Sequence, residues 1–311
     1  MTTHTNISDS HTAATIGVFD GLHLGHRHLV NTLTEHAHVR NLKPIVITFK
    51  QHPASVISGK NAPGKLISDN EKRQILHSWG VETVIFLDFD AQIAGLSSHQ
   101  FIEYIRNNYG VKFLLVGFNN KFGSDRKSNI SDYSLSGKML GVEVIEASRF
   151  PIANVSSSII RSLLLSGEVD KAAQLLGNFY TLHGTVVEGY HNGSKLGFPT
   201  ANMCLSEQEM LLPANGVYAV QASVNGGSWM PAVCNIGYRP SVSPDGTVST
   251  EVHILDYSGN IYNDPLSIRF VKKLRSESQF NSIQLLQQQL VRDCNNARII
   301  LNDNLNKYES N

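Results

Sequence analysis

Cysteine is scarce. The three present, Cys204, Cys234 and Cys294, are far apart and odd in number. They form neither a disulfide framework nor a metal-ligand spacing, which suits a reducing cytosol. A surplus of either charge is also missing. Lys+Arg and Asp+Glu are both 26, and the formal net charge is +0. No global basic field draws in nucleic acid, so any phosphate must be met locally, by glycine turns and helix N-termini. No apolar run approaches membrane-spanning length. Residues 1–15 are polar and lack the apolar core of a signal peptide. These absences lead us to expect a cytoplasmic chain without membrane or nucleic-acid partners. Internal repeats and low-complexity tracts are absent too. What is there is ordinary for a globular protein, with 41% hydrophobic and 17% charged residues. The length of 311 residues fits two domains, each with its own core.

In the N-terminal half, Thr15-Ile16-Gly17-Val18-Phe19-Asp20-Gly21 predicts a short buried strand ending in a glycine turn. His23-Leu24-Gly25-His26 and a periodic apolar run at Leu29, Val30 and Leu33 then predict a helix. Strand, glycine turn and helix together aim backbone N–H groups and a positive helix end at an anion. Two histidines three apart at a helix start share a face. Both can donate to phosphate oxygens and, when protonated, offset charge at a transferring phosphorus. Strands at 44–49, 81–87, 111–117 and 142–145 alternate with helices at 71–79, 98–108 and 132–140. That alternation predicts an α/β domain with a doubly wound parallel sheet covered on both faces. Ligands of such sheets bind beyond the carboxyl ends of the strands. Gly17–His26 lies at one such end and Gly117–Gly123 at another, the latter with Lys121, Arg126 and Lys127 nearby. Ser156-Ser157-Ser158 with Arg161 either caps a helix or presents hydroxyls and N–H groups to phosphate.

From about Tyr180 the period changes. Short strands at 181–189, 216–222, 229–236, 249–255 and 266–274, with turn signals between, predict a small antiparallel β-barrel. A terminal helix over 281–303 follows, and its Ile283, Leu286, Leu290 and Val291 are expected to pack on the barrel. The sequence thus divides into residues 1–180 and 181–311. Leu196-Gly197-Phe198-Pro199-Thr200-Ala201-Asn202 predicts a stiff turn. Gly197 permits close approach or positive φ and Pro199 fixes its own φ. The Thr200 hydroxyl and Asn202 amide oxygen are hard ligands suited to Mg²⁺ beside phosphates, although the same residues also make an ordinary Thr/Asn turn. Strand alternation puts Glu251 and His253 on one side, Val252 and Ile254 on the other, so Glu251 is either an exposed strand carboxylate or a base for a substrate hydroxyl.

Taken together, these motifs resemble the bacterial bifunctional riboflavin kinase/FAD synthetase family along the chain from about Ile16 to Arg298. The N-terminal half resembles its FMN adenylyltransferase module, a Rossmann-like nucleotidyltransferase, through Gly17–His26 and Ser157-Ser158-Ile159-Ile160-Arg161. The C-terminal half resembles the riboflavin kinase barrel. That likeness rests on Leu196–Asn202, Gly216-Val217-Tyr218, Asn235-Ile236-Gly237, Glu251–Asp256, and Leu274–Glu277 with Phe280. The resemblance implies riboflavin, FMN and ATP as substrates and Mg²⁺ as the metal. It implies catalysis by Glu251, His23 and His26. Nucleotide binding falls to Gly17, Phe19, Asp20, Gly25, Ser157, Ser158, Arg161, Gly197, Pro199 and Thr200. Metal binding falls to Thr200 and Asn202, and flavin binding to Asn119, Arg275 and Glu277.

Four positions depart from the family pattern: Asn119 stands where Asp is usual, Ser128 for Gly, Ser194 for Arg and Asn263 for Gly. Losing the carboxylate at 119 would alter FMN or adenine contacts. Ser194 would weaken phosphate binding, with Lys195 compensating in part. Three readings follow. One is an enzyme making FMN and then FAD. Another is a kinase with a weakened or lost adenylyltransferase, and the third a flavin- or nucleotide-binding protein without turnover.

Overall fold

The computed structural model describes residues 11–50, 64–118, 120–125, 129–152, 154–189, 193, 196–207, 209–238 and 248–308. They form two compact units, Met1–Pro63 with Ile67–Val155, and Gly64–Leu66 with Ser156–Asn311.

In the first unit, β1 (Thr12–Ile16), β2 (Lys43–Phe49), β3 (Thr83–Leu87), β4 (Val111–Val116) and β5 (Glu143–Glu146) form one parallel sheet in the order β3-β2-β1-β4-β5. The helices are α1 (Leu24–Val39), α2 (Asp69–Ser78), α3 (Ala91–Gly95), α4 (Ser98–Tyr109) and α5 (Ile130–Leu140). Alternation sorts the strand side chains. Ala13, Val46 and Phe113 join Val30 and Leu33 of α1 and Leu76 of α2 in one core. Ala14, Ile45 and Leu114 join Ile102 and Ile105 of α4 in the other. Both faces of the sheet are therefore covered, as a crossover-connected parallel sheet requires. The strand order reverses between β1 and β4, and that switch point is where such sheets bind ligands.

β1 begins earlier than the sequence predicts and ends at Ile16, so Gly17–His23 is wholly turn. All five β1 residues are buried, yet Thr12, Ala13, Ala14 and Thr15 are small and two are hydroxylic, which hides the strand from a search for apolar runs. The Thr12 hydroxyl is satisfied by donating to the Tyr109 carbonyl at 2.9 Å. The short helix α3, capped by Asp90 through Ile93 N–H, is also unforeseen.

The second unit opens with α6 (Ser157–Ser166) and α7 (Val169–Leu176). A six-stranded closed antiparallel barrel follows: β6 (Tyr180–Val187), β7 (Ala201–Leu205), β8 (Gly216–Val224), β9 (Met230–Tyr238), β10 (Val248–Ile254) and β11 (Pro265–Arg275). Ile160, Leu164, Val169 and Leu176 of the two helices share a core with Leu182, Val220 and Ile268 of the barrel. The helical pair therefore belongs to the second compact unit, because it buries its apolar side in the barrel's core.

The terminal helix α8 (Ile283–Tyr308) covers the outside of the barrel with the expected side, but buries it along the later turns, Leu286 and Leu290 being only half-buried. Ile283 and Val291 are exposed, whereas Cys294, Ala297 and Leu301 are buried against Val217, Val233 and Val271. Polar chemistry fixes this seating. Asp293 is buried and accepts from Arg275 Nη2 at 2.8 Å and Nε at 3.0 Å, and Gln289 donates to it at 2.8 Å. A carboxylate buried this way must keep its cation. Asp293→Ala strands Arg275, so it is expected to destabilise the barrel unit by about 3 kcal/mol, read as a lower denaturant midpoint for that unit's transition.

Candidate functional site

The turn after β1 is unusual in its backbone. Phe19 (φ 50), Gly21 (φ 79) and Leu22 (φ 43) are left-handed within four residues. For the two that are not glycine this costs on the order of 1 kcal/mol each. Packing repays it, because Phe19 and Leu22 are each 1% exposed. The Phe19 ring lies over Gly17, where an added methyl would come within 3.1 Å of it. The Val18 carbonyl is gripped from inside the unit by the Thr48 hydroxyl at 2.9 Å and by Lys72 Nζ at 3.2 Å.

His23 is the N-cap of α1, and its Nδ1 accepts from His26 N–H at 3.3 Å. That bond leaves the proton of the neutral ring on Nε2. The rings of His23 and His26 stack at 3.7 Å and 14°, and Phe19 lies 5.0 Å from His26. Gly25 gives the stack room, since a methyl there would sit 3.3 Å from the His23 ring. Burial lowers the His23 pKa from 6.5 to about 4. His26 is held well below 6.5 by burial, then by His23, then by Lys72. Its Nδ1 is buried without a hydrogen-bond partner. The pair is therefore neutral at pH 7 in the free protein. Neutral imidazoles still donate N–H bonds to an anion. Asp20, only 6% exposed, completes the turn.

The loop after β4 lies beside this turn at the switch point. The Asn120 amide donates to the Ile16 carbonyl. Phe122 stacks on Tyr133 at 4.2 Å. Asp125 binds the Ser98 N–H and hydroxyl at 3.2 and 2.8 Å. The expected residues Asn119, Arg126, Lys127 and Ser128 lie outside the described residues. Ser157, Ser158 and Arg161 belong to the second unit. Ser156 caps their helix through Ile159 N–H, Ser158 is exposed, and Arg161 Nε donates to the Gly64 carbonyl at 3.0 Å.

On the barrel, Gly193 organises the proline turn. Its carbonyl accepts from Leu196 and Phe198 N–H at 3.0 and 2.9 Å. Gly197 is left-handed at φ 85. Phe198 packs into the cluster under α8. His253 Nδ1 lies 2.7 Å from the Pro199 carbonyl and its ring meets Phe198 edge-on. A carbonyl only accepts, so this Nδ1 carries the proton. Sequence reading placed His253 beside Glu251 but missed this role, for which nothing local signals.

Glu251 lies opposite Asn202 of β7 and Asn235 of β9, while Val252 and Ile254 point into the core. A methyl on Gly189 would collide with the Asn202 amide, and one on Gly237 with the Glu277 carboxylate. Asn235 and Gly237 alternate on β9, so Glu277 reaches the face that bears Glu251. Thr200 lines a cavity of about 270 Å³ with Pro199, Val252, Ile254 and residues of the 257–262 loop. That loop closes with Asn263 at φ 66, its N–H on the Val186 carbonyl at 2.9 Å. Asn is, after glycine, among the residues that tolerate this region best, which explains how Asn263 replaces the usual glycine. Ser194 and Lys195 lie outside the described residues. Arg275, expected at the flavin, is engaged by Asp293 and the Ser276 carbonyl.

A parallel sheet with paired histidines at a helix N-terminus, and a closed barrel with a carboxylate beside a Pro-Thr turn, define a two-part ATP-dependent transferase. The FAD synthetase family model matches residues 5–159 and the riboflavin kinase model residues 176–301. The chain is 36% identical over 294 residues to the bifunctional riboflavin kinase/FMN adenylyltransferase of Haemophilus influenzae, covering 93% of this chain and 94% of that protein. It is 35% identical to the proteins of the same name from Escherichia coli K12, over 91% of each chain, and Bacillus subtilis 168, over 89% of each. A crystal structure described as a macrolide-efflux protein from Streptococcus pneumoniae shares the fold, with a TM-score of 0.84 and 29% identity over 94% of this chain and 97% of that one. Among the described residues no helix is long and apolar enough to cross a membrane.

The chain belongs to the bifunctional riboflavin kinase/FMN adenylyltransferase family, as a transferase of flavin biosynthesis with ATP as co-substrate.

The neutral histidine pair carries a pH consequence. An unfolded His23 takes up a proton near 6.5 and the folded one only near 4, so the unfolded state binds more protons in that window. Stability of the first unit is expected to fall as pH drops from 6.5 towards 4, by up to about 3 kcal/mol for His23. Denaturant melts across that range should show the loss shrinking in His23→Asn.

Proposed function

We propose that the two reactions divide between the two segments anticipated from the sequence, residues 1–180 and 181–311, with FMN made on the barrel and FAD made at the histidine turn. The single observation that carries the kinase assignment is Glu251 flanked by Asn202 and Asn235. This carboxylate takes the proton of the terminal ribityl hydroxyl of riboflavin as that oxygen attacks the γ-phosphorus of ATP. The cavity beside Thr200 receives the nucleotide, with Gly197 and Pro199 shaping its phosphate turn. Glu277 meets the flavin. Arg275 fixes the segment that presents Glu277.

The donor set fits Mg²⁺, which prefers a few protein oxygens and completes its shell with phosphates and water. Thr200 and Asn202 supply two such oxygens, and no cluster of three or more His, Cys, Asp or Glu is present among the described residues. When bound, the ion neutralises phosphate charge. Thr200 and Asn202 hold and orient it.

At the first unit's turn, the FMN phosphate attacks the α-phosphorus of a second ATP and pyrophosphate leaves. Gly17, Phe19, Asp20 and Gly25 shape the anion-facing turn. His23 and His26 donate to the phosphates, where the developing charge is greatest. Ser157, Ser158 and Arg161 of the second unit are assigned to nucleotide phosphate, and Asn119 to the flavin, on their sequence motifs alone. Positioning and electrostatics suffice, with no covalent nucleophile. Both reactions consume cytoplasmic ATP, so the cytoplasm is the compartment we assign.

Chromatography resolving FMN from FAD tests the assignment. Glu251→Gln is expected to lower FMN formation by roughly a hundredfold or more and to leave conversion of added FMN to FAD intact. His26→Ala is expected to do the reverse. Loss of both steps from either substitution in folded protein would refute the division of labour. His253→Ala, which frees the Pro199 carbonyl, should raise the KM for ATP in FMN formation alone, by roughly tenfold.

A further inference from the structure

Lys72 has no part in the chemistry described above, and its sequence context, within an amphipathic helix, marks it as an ordinary surface residue. Yet it is 4% exposed, on the first turn of α2, with Nζ directed at the β1–α1 turn. A lysine is almost never so buried without a specific partner. Among its partners are the Val18 carbonyl at 3.2 Å and, more distantly, Asp69 at 3.8 Å, with the Phe86 ring 5.8 Å away.

The Val18 carbonyl begins the left-handed stretch. A carbonyl facing an incoming triphosphate would repel it, whereas the N–H groups of the same turn attract it. Two donors, Thr48 and Lys72, pull this oxygen into the unit. Phe19 then takes φ 50 and its ring lies tilted beside that of His26. Lys72 also helps to keep His26 neutral.

We propose that Lys72 is a positioning residue for adenylyl transfer, holding the Val18 carbonyl inward so that the following N–H groups face the ATP phosphates. The proposal rests on the reading of the His23–His26 turn as the adenylyl-transfer site.

The test is FAD formation from FMN by the full chain, with FMN formation from riboflavin normalising enzyme concentration. Because the turn meets the triphosphate before reaction, the loss should fall on KM rather than kcat. Lys72→Met should raise the KM for ATP in the FAD-forming step roughly tenfold to a hundredfold, the range for a lost hydrogen bond to a charged group. A purely structural lysine would lower the melting temperature and leave KM unchanged in the folded fraction. Should Lys72→Met fail to fold, Thr48→Val removes the other donor to the same carbonyl and should raise KM by a smaller factor. A wild-type KM in the folded variants overturns the role of Lys72. Absence of FAD formation by the unsubstituted protein instead overturns the reading of the turn itself.

Discussion

A side-chain donor gripping one backbone carbonyl recurs at both turns on which this protein depends. Thr48 and Lys72 hold the Val18 carbonyl in the first unit, and His253 holds that of Pro199 in the second. The net charge is zero, so no broad positive field compensates for a badly aimed peptide. Each phosphate must meet N–H groups and hydroxyls already turned towards it, and a turn keeps its N–H groups outward only if its carbonyls are satisfied elsewhere.

The rest of each unit supports that constraint. In the parallel sheet, two cores clamp β1 between β2 and β4, so the turn that follows it has a rigid base at the switch point. The strained Phe19 and Leu22 are buried, and the energy of their left-handed backbones comes from that burial. In the barrel, closure sets the register that brings Asn202, Glu251 and Asn235 side by side. The Arg275–Asp293 pair locks α8 over the outer surface where Phe198 is anchored. The candidate side chains thus stand on strands and a helix N-terminus.

Backbone geometry accounts for the departure at Asn263. Asn263 keeps the left-handed conformation that a glycine would supply, so its loop survives beside the Thr200 cavity. The histidines illustrate a different point. Their type and spacing were evident, but not their protonation, because only the stacked, buried arrangement with Lys72 nearby makes them neutral.

Local patterns in the sequence determined the two-part architecture, the alternating parallel unit, the barrel, and the motifs around His23, Thr200 and Glu251, since periodicity and turn chemistry are properties of neighbouring residues. The true extent of β1 was not legible, because its buried threonines and alanines carry no apolar signature. The seating of α8 was decided by a buried ion pair with a residue 18 positions away, and the place of α6 and α7 by a shared core. Lys72 and His253 acquire their roles only when the fold carries them to carbonyls 54 residues distant. Such partners lie outside any local pattern, and three-dimensional packing alone brings them into hydrogen-bond range.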